Sequence, residues 1–259
     1  MLKNNVTVCK ANGYTLSFGM FKKIFYGFRW IDYLIWATSV AVVITSSAIS
    51  GFENVLSLLC SLLGVTGLIF CAKGNVYGHI VSVFFALSYG IISATFRYWG
   101  EMITYLCMSL PMDIIAVITW FKNRYKGSEV KVASLTLGKA LFAIISGIIV
   151  TIIMYFVLKA LNTPNLFFST ASVLTSWVAV VFVAMRSSYY AVAYGLNDVV
   201  LIVLWVLASV KDVSYIPMVA CFIMFLVNDV YGFINWTLME KRQKKFPVNE
   251  LTQSETFSE

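Results

Sequence analysis

Apolar residues run along this chain in eight blocks, near 31–49, 54–72, 76–96, 100–121, 138–160, 166–185, 189–210 and 215–238. Each is long enough to cross about 30 Å of hydrocarbon as a helix rising about 1.5 Å per residue. Short polar stretches separate most of them, so consecutive helices are expected to be antiparallel neighbours. The long connection is the basic loop KNRYKGSEVKVASLTLGK between the fourth and fifth blocks. Ahead of the first block, Phe18, Phe21, Phe25 and Phe28 fall at steps of three and four beside Lys22, Lys23 and Arg29. That pattern suits an interfacial amphipathic helix, and equally a ragged start to the first span. The expected organisation is an N-terminal segment over 1–30, a membrane domain over 31–240, and a polar tail over 241–259 that is disordered beyond its basic cluster.

Composition agrees with the pattern. Hydrophobic residues make up 60% of the chain, charged residues 12%, and the mean hydropathy is +0.84; soluble domains carry about 25% charged residues. The fold class is therefore all-α, a polytopic membrane protein of eight spans. The first strong apolar run begins near Ile31, too deep for the apolar core of a signal peptide. With eight spans both termini share one side, and sixteen Lys and Arg fall there, against Arg97, Lys159 and Lys211 on the other. The asymmetry places both termini in the cytoplasm. The net charge of +7 then reads as topology and lipid contact rather than as a nucleic-acid surface. Cys9, Cys60, Cys71, Cys107 and Cys221 show no CxxC spacing, and suggest packing rather than metal or disulfides. The lone histidine, His79, stands near a helix start and is assigned to hydrogen bonding or packing.

Sliding the chain on itself by 116 positions brings Asp113 onto Asp229, Trp120 onto Trp236, Ser82 onto Asp198 and Tyr89 onto Trp205. Two three-helix repeats, near 54–121 and 166–238, are expected, joined by a linker helix at 138–160 and preceded by one extra N-terminal helix. Three spans plus one linker make four, so the repeats are parallel, related by an axis along the membrane normal.

The candidate chemistry lies in polar residues inside apolar blocks, where a charge costs about 2.5–3.5 kcal/mol on insertion scales unless paired or wetted. In the seventh block Tyr190, Tyr194, Asn197, Leu201 and Trp205 follow helical steps, with Asp198 adjacent. The sixth carries Ser169, Ser172 and Ser176, running to Trp177. The eighth carries Asn228, Tyr231 and Asn235 on one face and Asp229, Gly232 and Trp236 on the next. The fourth carries Tyr105, Ser109, Asp113, Ala116 and Trp120. Stripes of helical period can face a common axis. Rings, amides and hydroxyls together suit a flat aromatic ligand with polar substituents. The candidate substrate-binding residues are Asn197, Asp198, Trp205, Tyr194, Tyr190, Asn228, Asp229, Tyr231, Trp177, Ser176, Asp113 and Tyr105. Trp120 and Trp236, near helix ends, read as interface-belt anchors. Asp113 and Asp229 could also be structural, bonding a neighbouring helix or backbone freed near Pro111.

The chain has no GxxxxGK[ST] phosphate loop, no HExxH and no GxSxG, so neither an ATPase nor an enzyme of these kinds is indicated, and no cofactor is implied. The last span has no lysine for a retinal Schiff base. No Lys or Arg lies mid-span, so a phosphorylated ligand would lack a deep cation.

The segments AKGNVYGHIVSVFFALSYG, YWGEMITYLCMSLPMDIIAVITWFKN and AVAYGLNDVVLIVLW followed by NDVYGFINW resemble the PnuC family of vitamin transporters over roughly 54–240. The resemblance implies a three-plus-one-plus-three plan similar to a duplicated SWEET transporter. It implies facilitated diffusion of nicotinamide riboside, capture by a cytoplasmic kinase for NAD synthesis, a plasma-membrane location and a homotrimer. Related subfamilies carry thiamine, riboflavin or deoxynucleosides, and a substrate-capture subunit served by a separate ATPase is the alternative from another class.

Overall fold

The computed structural model describes residues 25, 27–49, 51, 55–95 and 97–246. The interfacial helix expected around Phe18 and Phe21, and the tail over 247–259, lie outside the described residues. Among the described residues eight long helices are present: α1 (Trp30–Ile49), α2 (Val55–Ala72), α3 (Gly78–Thr95), α4 (Trp99–Lys122), α5 (Leu137–Ala160), α6 (Leu166–Ala184), α7 (Tyr190–Ser209) and α8 (Ile216–Lys245). All eight are long and apolar enough to cross a membrane, and each begins and ends within a few residues of its sequence expectation except α8.

The turns explain why the helices stop where they do. α2, α3, α5 and α6 each end on a residue in the left-handed region, Gly74, Arg97, Asn162 and Arg186 respectively. In all four, that residue's N–H reaches back three positions and the next N–H reaches back five, as in Asn75 to Phe70 (2.9 Å) and Ser187 to Phe182 (3.0 Å). This closure satisfies carbonyls that the helix leaves open. In two turns a side chain then starts the next helix: Asn75 Oδ1 accepts from Tyr77 N–H at 3.0 Å, and Ser187 Oγ accepts from Tyr189 N–H at 3.3 Å.

α8 runs seven residues beyond its expected end. The basic loop explains the difference, because it folds into a small hairpin, β1 (Arg124–Lys126) with β2 (Glu129–Val130). The Gln243 side chain accepts from Val132 N–H (2.8 Å) and donates to the Val130 carbonyl (3.0 Å), while Arg242 grips Glu129 at 2.5 Å. The last turns of α8 are thus held by protein rather than by lipid.

Uniformly apolar helices do not choose neighbours by amphipathicity, so small residues and polar bonds do so. α8 packs on α1, α2 and α7, α4 lies against α3 and α6, and α5 leans chiefly on α6. Gly78 lets α3 close onto α2, since a Cβ there would sit 2.8 Å from the Cys71 backbone nitrogen.

Trp120 and Trp236 depart from the belt expectation. Both are fully buried, with ring centroids 5.2 Å apart. Trp236 Nε1 donates to the Cys71 carbonyl at 2.9 Å and Trp120 Nε1 to the Val183 carbonyl at 3.3 Å. These carbonyls belong to the last turns of α2 and α6, where a spare lone pair gives a buried indole its partner. Trp236→Phe, which keeps an aromatic ring but removes the indole donor, is expected to cost about 1 kcal/mol, and Trp236→Ala about 3–5 kcal/mol. Thermal unfolding in detergent would rank them wild type, Phe, Ala; equal midpoints for Phe and wild type would show that the bond contributes nothing.

Candidate functional site

At the centre of the bundle α2, α3, α4, α7 and α8 leave a cavity of about 60 Å³, with α6 contributing Val183. That is room for a few waters at about 10–15 Å³ each. Its rings are Phe85, Tyr105, Tyr190, Tyr194 and Phe225, and its ionisable groups are Cys71, His79, Asp113, Asp198 and Asp229 beside those tyrosines. Among the described residues no Lys or Arg lines it.

Helical spacing delivers these side chains. On α7, Tyr190, Tyr194 and Asp198 follow steps of four, and on α4 so do Tyr105, Ser109 and Asp113. Steps of four drift around an ordinary α-helix by about 40° each. On α4 the drift is absorbed by a wider turn, because Thr104–Ser109 is π-helical and the Leu110 N–H reaches back to the Tyr105 carbonyl. Pro111 follows, with no N–H to hold the regular ladder. Such π turns are common at functional sites.

Asp113 Oδ1 lies 2.8 Å from His79 Nδ1, and the Trp120 ring stands edge-on to the imidazole at 4.3 Å. A carboxylate on Nδ1 selects the tautomer that leaves Nε2 as an acceptor. His79 Nε2 is buried without a partner among the described residues, as are the Oδ2 atoms of Asp198 and Asp229. Unsatisfied buried polar atoms are rare in native proteins, and here three belong to residues around one cavity.

Aromatic layers stand at either end. Towards the side opposite the termini, Tyr89 packs on Tyr105 (4.1 Å) and accepts a hydrogen bond from Trp205 Nε1 at 2.8 Å. Towards the termini, Trp236 meets Tyr190 at 4.8 Å, beneath its contact with Trp120.

Of the twelve sequence candidates, the cavity gathers Tyr105, Asp113, Tyr190, Tyr194, Asp198 and Asp229. The other six face elsewhere. Asn197 Oδ1 accepts from Thr175 (2.8 Å) and Ser176 (2.9 Å) across the α6–α7 contact. Trp177 Nε1 bonds Ser146 on α5 at 2.9 Å. Trp205 belongs to the aromatic layer. Asn228 bonds the Met224 carbonyl (2.8 Å) and Ser39 on α1 (3.4 Å), and Tyr231 donates to Asp32 on α1. NDVYGFINW therefore contributes one carboxylate to the cavity and its neighbours to the α1 seam. His79, Ser82, Phe85 and Ala86 of α3 were missed; a stripe at steps of three, three and one beginning at the only histidine was the available signal. Glu101 was also missed, fully buried on α4 and accepting from Ser172 at 2.6 Å.

Eight apolar helices, six of them lining a polar cavity, define an integral, multi-pass membrane protein with an internal polar cavity. The comparison with known proteins sharpens this class. The chain belongs to the nicotinamide mononucleotide transporter family, whose model matches residues 54–238. It is 26% identical over 251 residues to a nicotinamide riboside transporter PnuC of Neisseria mucosa, covering 93% of this chain and 94% of the relative. It is 22% identical over 194 residues to the PnuC of Haemophilus influenzae, covering 73% and 82%. A crystal structure described as that of the vitamin B3 transporter PnuC shares the fold, with a TM-score of 0.75 and 22% identity over 86% of this chain and 97% of that one.

Asn197→Ala removes the acceptor shared by Thr175 and Ser176 and is expected to cost about 1–3 kcal/mol. A lowered unfolding midpoint in detergent would show it; an unchanged one would release Asn197 from its structural role.

Proposed function

We propose that this chain carries nicotinamide riboside across the plasma membrane by facilitated diffusion, with cytoplasmic phosphorylation trapping the product for NAD synthesis. The observation that carries the reading is a central cavity with three carboxyl groups, aromatic walls and no cation, in a chain whose relatives are named as riboside transporters. The riboside's pyridinium is cationic, and aromatic faces hold such a ring by about 0.5–2 kcal/mol each. A phosphate in the same place would meet carboxylates and find no Lys or Arg. The family description names the mononucleotide, but the lining favours the riboside.

At about 60 Å³ the cavity is far smaller than ligand pockets of about 300–1,000 Å³. Admission of a nucleoside therefore requires rings at one end to separate, and the two aromatic layers are the proposed gates. Within the cavity, His79 Nε2 accepts a ribose hydroxyl, Asp198 and Asp229 face the positive ring, and Tyr105, Tyr190 and Tyr194 stack. Both termini are assigned to the cytoplasm on the distribution of Lys and Arg, and a homotrimer on the resemblance to PnuC proteins.

Two parallel three-helix repeats belong to the same proposal. The exchanged indole bonds of Trp120 and Trp236, the matching closures at Gly74 and Arg186, and the bond between Tyr89 and Trp205 all support it.

Proteoliposomes loaded with buffer are expected to equilibrate labelled nicotinamide riboside without an ion gradient, and excess nicotinamide mononucleotide is expected not to compete. Accumulation driven only by a proton gradient would overturn passive transport, and equal competition by the mononucleotide would overturn the charge argument. In titration calorimetry His79→Ala is expected to weaken riboside binding about tenfold, the worth of one hydrogen bond at about 1.4 kcal/mol. A folded Asn197→Ala protein should bind as wild type does. The reverse ranking would relocate the site to the α6–α7 contact.

A further inference from the structure

A second cavity, of about 210 Å³, opens where the start of α1, the α2–α3 turn, the hairpin and the extended end of α8 meet. Its charge is opposite in kind to that of the central chamber. Arg29, Lys73 and Arg242 line it, with Glu129 and Asn235.

The donors there exceed their acceptors. Glu129 is fully engaged by Arg242 at 2.5 Å and by Gln243 Nε2 at 2.7 Å. Lys73 Nζ reaches Asp32 at 3.2 Å, which uses one of its three N–H groups. Burial pulls the Lys73 ammonium down from its ordinary value while Asp32 opposes the shift. Among the described residues the Arg29 side chain donates to two neutral oxygens, Tyr231 Oη at 3.4 Å and Asn235 Oδ1 at 3.3 Å, and makes no salt bridge, although the Asp32 carboxylate lies near. Asn235, 6% exposed, has its Nδ2 buried without a partner among the described residues. Three cations against Asp32 and Glu129 leave a formal excess of one positive charge.

We propose that this cavity binds a phosphate-bearing anion, held by the guanidinium of Arg29, the spare N–H groups of Lys73 and Nδ2 of Asn235. A tetrahedral oxyanion accepts several charge-assisted bonds at once, and basic pockets at the ends of membrane helices suit phospholipid headgroups. A soluble phosphomonoester offers the same chemistry from the aqueous side. The site stands on its own observations, independent of what the central cavity carries.

The test uses the full chain purified without anionic lipid. Inorganic phosphate and nicotinamide mononucleotide are titrated by calorimetry, and phosphatidylglycerol retention is followed by native mass spectrometry. At least one of the three is expected to bind saturably, about tenfold weaker in Arg29→Gln and in Asn235→Ala. Arg124→Gln, on the hairpin outside the cavity, is expected to bind as wild type. Because Asn235→Ala leaves the charge unchanged, its loss marks a built site rather than a general basic surface. Binding of phosphate or mononucleotide points to a soluble ligand, and retention of phosphatidylglycerol alone points to a headgroup. Binding of none, or equal binding by wild type, Arg29→Gln and Asn235→Ala, would overturn the proposal.

Discussion

Two indole N–H groups tie helices far apart in this chain together. Trp236 on α8 reaches the last turn of α2, and Trp120 on α4 reaches the last turn of α6. Each uses a carbonyl that a helix end leaves with a free lone pair, and the two rings then pack on each other at 5.2 Å. In an apolar surrounding neither N–H has an alternative partner, so the geometry of the turns at Gly74 and Arg186 sets where α4 and α8 can stand. Tyr190 adds a third donor to the Cys71 carbonyl at 3.2 Å, and it is also a wall of the cavity. Assembly and cavity thus share residues.

The same demand for partners separates two sets of buried polar residues. Asn197, Ser172, Ser176, Trp177 and Tyr231 find partners on neighbouring helices, and they fix the register of surfaces that would otherwise slide. His79, Asp198 and Asp229 keep an atom unsatisfied, and all three belong to the cavity lining. Burial of polarity is common to both groups; the difference lies in whether a neighbouring helix completes the bond. Asn228 and Asn235 each also retain an unpartnered atom, one on the α1 seam and one at the basic cavity.

Charge is separated along the bundle. The central chamber holds carboxyl groups without a cation, and Arg29, Lys73 and Arg242 gather around the cavity on the side of the termini. A cationic nucleoside suits the first and a phosphate suits the second. In the proposed reading a phosphorylated product is disfavoured from re-entering the chamber by the carboxylates that admit its precursor.

The amino-acid sequence by itself determined the class, the eight spans and, for seven of the eight, both ends, because long apolar runs closed by residues such as Gly74 and Asn162 leave little choice. Six residues that line the cavity, Tyr105, Asp113, Tyr190, Tyr194, Asp198 and Asp229, were legible as polar groups inside apolar helices. Which of two adjacent residues faces the axis was not legible. Asn197 and Asp198 differ by about 100° around α7, and when both flanks of a helix are apolar no pattern in α7 alone says which flank meets α6. The π turn before Pro111 shifted the face of α4, the hairpin lengthened α8, and α3 carried His79 against Asp113, a contact between residues far apart in the chain. Those outcomes depend on where neighbouring helices stand, and only the tertiary structure decided them.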